Sequence, residues 1–150
     1  MALSELKKLE YITGGKIPTF QEVIDVCKNK IDLQIELKAD GTPSLVNDVI
    51  MKNDLENHVV ITSFKPNLLE EIKRINPRLP IGLLFWSDET MADIRNIMNK
   101  IPLDFLAPCS TIVTQEFVEN AHTSGKKVYA YMVNSKELGD TLMAMGVDEI

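Results

Sequence analysis

Five short apolar segments recur along this chain, and each is followed by a stretch with apolar residues at helical spacing. The segments are "IDLQIELK" (31–38), "HVVITSF" (58–64), "PIGLLFW" (80–86), "LDFLAP" (103–108) and "KKVYAYMVN" (126–134). They recur every 20–28 residues or so, room for a strand, a helix and two turns. Such alternation predicts an α/β fold with a parallel sheet. A doubly wound sheet and a (β/α)₈ barrel both satisfy it.

The intervening stretches carry helix signals. Thr19 and Glu22 have capping-box spacing ahead of a helix over about 21–29. "ADGTPS" reads as a turn, and "LVNDVIMKNDLEN" as the helix after it. Pro66 suits a first helical turn, and Leu68, Leu69, Ile72 and Ile75 fall on one face. "DETMADIRNIMNK", "TQEFVENAHTSG" and "SKELGDTLMAMG" read as three further helices, with Thr114 as an N-cap and Gly125 and Gly146 as stops. "SELKKLE" reads as a short helix and "VDEI" as the start of another element. Met91, Met98, Met143 and Met145 read as helix-face packing. "TGGK" at 13–16 has no strand before it, which argues against a phosphate loop.

Length and charge narrow the functions. The 150 residues suffice for one ordinary core. Acidic residues outnumber basic ones, 22 to 16, for a net charge of −6. Neutralising a nucleic-acid backbone needs the opposite balance, so no nucleic-acid partner is expected, while a local pocket for one phosphate is still open. Cys27 and Cys109 match no metal or redox spacing and read as reduced packing residues. No apolar run approaches the roughly 20 residues of a membrane span, and "MALSELKKLE" lacks a signal peptide's apolar core. The chain alone reads as soluble, with a cytoplasmic location as the plain expectation; a longer parent would be free to carry a signal or anchor.

The segment "IDLQIELKAD" holds the most informative polar residues. Leu33, Ile35 and Leu37 alternate with Gln34, Glu36 and Lys38. In an antiparallel sheet such a polar face meets water, with Glu36 and Lys38 a weak surface pair. In a parallel barrel it faces the interior, and its C-terminal end is where such enzymes place their chemistry.

Several motifs together resemble the glycerophosphodiester phosphodiesterase family. "KIPTFQEVIDVCKNKIDLQIELK" is similar to the family's Pro-Thr-Leu-x-Glu-Val helix and Asn-Ile-Glu-Ile-Lys strand. "HVVITSFKPNLLEEIKRINPRLPIGLLF" resembles its strand ending Ser-Ser-Phe, the next helix and the strand ending Gly-Leu-Leu. "AHTSGKKVYAYMVNSKELGDTLMAMGVDEI" resembles Ala-His-x-x-Gly, Val-x-x-Trp-Thr-Val-Asn and Gly-Val-Asp-Gly-Ile in series.

The resemblance implies a TIM barrel, a divalent metal (Ca²⁺ or Mg²⁺), and hydrolysis of a glycerophosphodiester to glycerol 3-phosphate and an alcohol. It makes Glu36 a metal carboxylate and Lys38 the active-site lysine, a point charge for a phosphate oxygen. Ser63 and Phe64 match the second Ser and the Phe of Ser-Ser-Phe, with Thr62 in place of the first Ser. A hydroxyl at Ser63 would bond a phosphate or a metal-bound water, or else cap nearby backbone. Tyr131 stands where the family has Trp, and Met132 where it has Thr. Tyr131 would pack against the glycerol moiety or simply fill the core. Phe85 and Trp86 would line the pocket mouth or pack beneath it.

The family's His-Arg-Gly, Glu-x-Asp and His-Asp motifs are not found here, and His58 and His122, the only two histidines, match neither catalytic histidine. Residues 1–150 therefore read as a partial domain: about five strands of an incomplete (β/α)₈ barrel, from roughly the fourth onward. The expectation is a C-terminal portion of the phosphodiesterase, inactive alone, with weak or absent metal binding. The alternative is a non-catalytic barrel relative used for binding or assembly. Open sheet edges would favour self-association, most simply as a dimer.

Overall fold

A computed structural model of the chain describes residues 2–86 and 91–150. Contacts divide it into two units, residues 1–33 and 34–150.

The first unit contains helices α1 (Leu3–Leu6) and α2 (Phe20–Cys27). Thr19 and Glu22 form the expected capping box. The Glu22 N–H donates to Thr19 Oγ1 (3.2 Å), and the Thr19 N–H donates to Glu22 Oε2 (2.6 Å). Two donors of the first turn, otherwise unpaired, are satisfied reciprocally. Lys7 Nζ pairs with the same carboxylate and donates to Ile17 O (3.1 Å). The Lys7 hydrogen bond, followed by that from the Thr19 backbone, lowers the Glu22 carboxyl to about 2.

The sheet has five strands in sequence order: β1 (Leu33–Glu36), β2 (Val59–Ser63), β3 (Ile81–Phe85), β4 (Phe105–Pro108) and β5 (Lys127–Val128). All five run parallel and alternate with helices, as expected. The register sets Ile61 opposite Ile81, Gly82 opposite Phe105 and Leu106 opposite Val128. Connecting them are α3 (Thr42–Lys52), α4 (Pro66–Ile75), α5 (Met91–Met98), α6 (Gln115–Thr123) and α7 (Lys136–Ala144). The expected start of α5 at 88–90 lies outside the described residues, as does the side chain of Met91.

One sheet face meets the helices. Leu68, Leu69 and Ile72 of α4 are fully buried, and each contributes about 1.5–3 kcal/mol of apolar burial. On the opposite face Leu84, Phe105 and Ala107 form a cluster, with Val60, Phe64, Tyr129 and Tyr131 packed against it. Gly82 is required here. A Cβ at that position would lie 2.1 Å from the Phe105 ring, which stacks on Tyr129 with centroids 4.2 Å apart.

The bases of two strands share one device. Asp104 Oδ2 accepts the Ile81 N–H (2.8 Å) and Lys73 Nζ (3.0 Å). Asp148 Oδ2 accepts the Val128 N–H (2.8 Å) and lies 2.9 Å from His122 Nε2. In each case a carboxylate just ahead of the next strand position ties the preceding strand to the helix that feeds it.

Three expectations need adjustment. Residues of "ADGTPS" already belong to a helix: Gly41 takes φ +76° and α3 begins at Thr42, with Pro43 in its first turn. Met143 is half exposed, because α7 buries Gly139 and Leu142 instead. The strand expected at 126–134 is shorter. Its pairing runs from Lys127 to Tyr131, where Tyr129 N and Tyr131 N donate to Leu106 O (2.9 Å) and Pro108 O (3.1 Å). Beyond that a 3₁₀ turn at Ser110–Ile112 intervenes: the Ser110 N–H donates to Tyr131 O, and Ser110 Oγ donates to Met132 O (2.9 Å). "VDEI" pairs with β5, Ala130 N donating to Glu149 O (2.9 Å).

Candidate functional site

The C-terminal strand ends carry the polar and aromatic residues singled out by sequence. β1 ends at Glu36, and Lys38 follows two residues on, so both side chains point to the same side of the strand. Glu36 Oε2 and Lys38 Nζ are 3.2 Å apart, with Glu36 30% and Lys38 75% exposed. Even paired with Glu36, the Lys38 ammonium stays open to an anion arriving from water.

The segment that carries them is fixed to β2. The Leu37 N–H donates to Thr62 O (2.8 Å), and Ser63 Oγ donates to Leu37 O (2.7 Å). Ser63 Oγ also accepts the Lys65 N–H (3.0 Å). Thr62, on the other face of β2, accepts from Gln34 Nε2 (3.4 Å). Both hydroxyl-bearing residues are wholly buried.

Three aromatic residues meet at the same end of the sheet. Phe64, just past β2, stacks on Trp86, just past β3, with centroids 5.7 Å apart. Tyr131 packs edge-on against both, at 6.0 Å from Phe64 and 5.6 Å from Trp86. Its hydroxyl donates to Phe85 O (3.0 Å), which also accepts the Cys109 N–H (3.0 Å). Trp86 is 47% exposed and forms the wet side of this wall. Phe85 has the opposite direction. It is buried against Phe117 of α6, centroids 5.9 Å apart. Strand parity separates the two: Trp86 shares a face with Leu84, whereas Phe85 does not. That signal was available in the sequence. The part of Ser110 was not, since it depends on a turn without a local signature.

The two histidines lie elsewhere. His58 immediately precedes β2, and His122 is held by Asp148 beside the first residues of β5. Both positions are at the N-terminal strand ends, opposite Glu36. Among the described residues no three of His, Cys, Asp and Glu converge to hold a metal. A hard dication is held by several oxygens at once. Glu36 offers a single carboxylate with an ammonium beside it, so these residues do not by themselves fit such an ion. No helix among the described residues is long and apolar enough to cross a membrane.

Fold and site together define a parallel (β/α) protein of the barrel class, with its candidate chemistry at the C-terminal strand ends. The sequence profile of the Glycerophosphoryl diester phosphodiesterase family matches residues 1–150, and the chain belongs to that family. A glycerophosphodiester phosphodiesterase of Caldanaerobacter subterraneus subsp. tengcongensis is 29% identical over 99% of this chain and 65% of its own length. Thus the chain spans somewhat less than two thirds of that relative.

Among solved structures, an Oleispira antarctica phosphodiesterase in complex with the product sn-glycerol-3-phosphate superposes with a TM-score of 0.86. It is 23% identical, over 99% of this chain and 65% of that one. A glycerophosphodiester phosphodiesterase from Parabacteroides distasonis gives 0.82 at 22% identity, again over 99% and 65%. The five strands and their helices match that portion of the family's barrel.

Proposed function

We propose that this chain forms the phosphate- and alcohol-binding side of a glycerophosphodiester phosphodiesterase site. The observation that carries the proposal is the Glu36–Lys38 pair, 3.2 Å apart at the C-terminal end of a parallel strand. Lys38 neutralises a phosphodiester oxygen as a point charge. Glu36 orients the ammonium and would supply one carboxylate to a metal only where other oxygens completed the shell. Phe64 and Tyr131, with Trp86, offer an apolar wall to the glycerol or alcohol carbons.

Hydrolysis of such a diester adds water across one P–O bond. It needs a group to take the water proton and another to protonate the departing alcohol. His58 and His122 stand at the far strand ends, so this chain's own residues bind and orient, and no proton transfer is assigned to them. That arrangement also favours the second reading, a barrel relative that binds without turnover.

The test is an NMR titration of the chain with sn-glycerol 3-phosphate. Shifts should concentrate at Lys38, Phe64, Trp86 and Tyr131. Lys38→Ala should weaken binding about 10–100-fold, the worth of a hydrogen bond to a charged group. No response at these residues would sink the proposal. Turnover of glycerophosphocholine that vanishes in Glu36→Ala would overturn the assignment of binding alone. In-frame upstream sequence carrying His-Arg-Gly, Glu-x-Asp and His-Asp would decide for the enzyme over the binding relative.

A further inference from the structure

We infer that Ser63 is a positioning residue that fixes Glu36 and Lys38, and not a contact of the substrate; this rests on the reading that those two side chains bind the phosphodiester.

Ser63 is 0% exposed, so nothing in solvent reaches it. Its single hydroxyl hydrogen is committed to Leu37 O at 2.7 Å, and it accepts the Lys65 N–H at 3.0 Å. A serine hydroxyl has one hydrogen to give, so no donor remains for a phosphate oxygen. The acceptor it chooses is the carbonyl of the residue between Glu36 and Lys38.

Position 37 is held in three ways. The Leu37 N–H is bound by Thr62 O at 2.8 Å, the Leu37 carbonyl is bound by Ser63, and the Leu37 side chain is 2% exposed. The Ser63 hydroxyl occupies the rung that a parallel ladder would give to the Phe64 N–H. β1 itself ends at Glu36. Beyond that point this side chain and Thr62 O together tie Leu37, the residue between Glu36 and Lys38, to β2. The Lys65 N–H on the same oxygen fixes the chain on either side of Phe64. One buried hydroxyl therefore sets the backbone of the Glu36–Lys38 pair against the backbone of the aromatic wall. Thr62 cannot take over this part, because it faces Gln34 on the other side of β2.

Amide hydrogen exchange by NMR, on the whole chain, tests the idea. In Ser63→Ala the Leu37 amide should exchange about tenfold faster, the effect of one net hydrogen bond on local opening. The Leu83 and Leu106 amides of the central strands should change less than about twofold. Ser63→Thr, which keeps a hydroxyl, should restore Leu37 protection. Should its extra methyl prevent folding, Ser63→Cys, a weaker donor, should give an intermediate rate. In parallel, the affinity for sn-glycerol 3-phosphate should fall about tenfold in Ser63→Ala. Uniform acceleration across the sheet would reduce Ser63 to a general stabiliser and overturn the inference, as would an unchanged Leu37 rate. A wild-type chain that ignores sn-glycerol 3-phosphate would count against the proposed function, and the exchange pattern would then decide the part of Ser63 by itself.

Discussion

His122 Nε2 lies 2.9 Å from Asp148 Oδ2, the same oxygen that accepts the Val128 N–H at 2.8 Å. Burial alone would raise the Asp148 carboxyl. The Val128 N–H, the His122 hydrogen bond and the His122 charge outweigh it and hold the group below the usual carboxylate value. A carboxyl depressed in the folded state stabilises above its unfolded pKa, and that contribution is lost as pH falls through the folded value. Asp148→Ala should therefore cost about 1–3 kcal/mol near neutral pH, because the Val128 N–H loses its acceptor. The gap to wild type should shrink as pH falls through the ordinary carboxylate range and the lowered folded value. Urea unfolding across that range checks it; a gap independent of pH would refute the linkage.

Glu22 offers a second titration, with a different partner. Its carboxyl, lowered to about 2 mainly by Lys7, should rise toward the ordinary 4.5 in Lys7→Ala. The capping-box contacts with Thr19 remain, so the rise should be partial. Carbon-detected NMR titration of the Glu22 carboxyl measures it directly, and an unmoved midpoint would show that Lys7 is not the cause.

Gly82→Ala should destabilise the sheet by about 1–3 kcal/mol or more, since a Cβ there would lie 2.1 Å from the Phe105 ring. The cost should fall when Phe105→Leu is added, as the two positions share one space. Additive losses in the double variant would mean that the backbone, not the ring, suffers.

Metal affinity should be low. With one carboxylate at the strand end, Ca²⁺ or Mg²⁺ should bind with a dissociation constant no tighter than about 0.1 mM. Isothermal titration decides. Micromolar binding abolished by Glu36→Gln would mean that other oxygens complete the shell.

Self-association is the expectation from the outer strands. β1 and β5 end the five-stranded order, β5 being lined only by the short bridge to residues 148–149, and strand edges left uncovered recruit partners. Light scattering at tens of micromolar should report more than the 16.9 kDa of one chain. A lone 16.9 kDa species would show the edges covered within the chain.

Much of this architecture was legible because parallel strands and amphipathic helices have separate periods. Leu68, Leu69 and Ile72 announced the buried side of α4, and Thr19, Thr114 and Ser135 stood where their helices begin. What the sequence hid were contacts made across distance. Ser63 read equally as a phosphate contact or a backbone cap, and no local pattern encodes its bond to Leu37 O, 26 residues back. The chain past β5 is held by Ser110, 22 residues before Met132, a contact that no local pattern encodes. The opposite directions of Phe85 and Trp86, by contrast, were open to a reading of strand parity.

The strands stand side by side in the order in which they occur along the chain. On a ribosome, each new strand would therefore meet a partner already synthesised, and none would have to wait for a later one. Assembly by accretion keeps loop closures short, which favours rapid folding. A nascent chain stalled at successive lengths should pull on its tether in steps, one as each strand clears the exit tunnel. A single late pull would mean that the sheet forms only when all five strands are out.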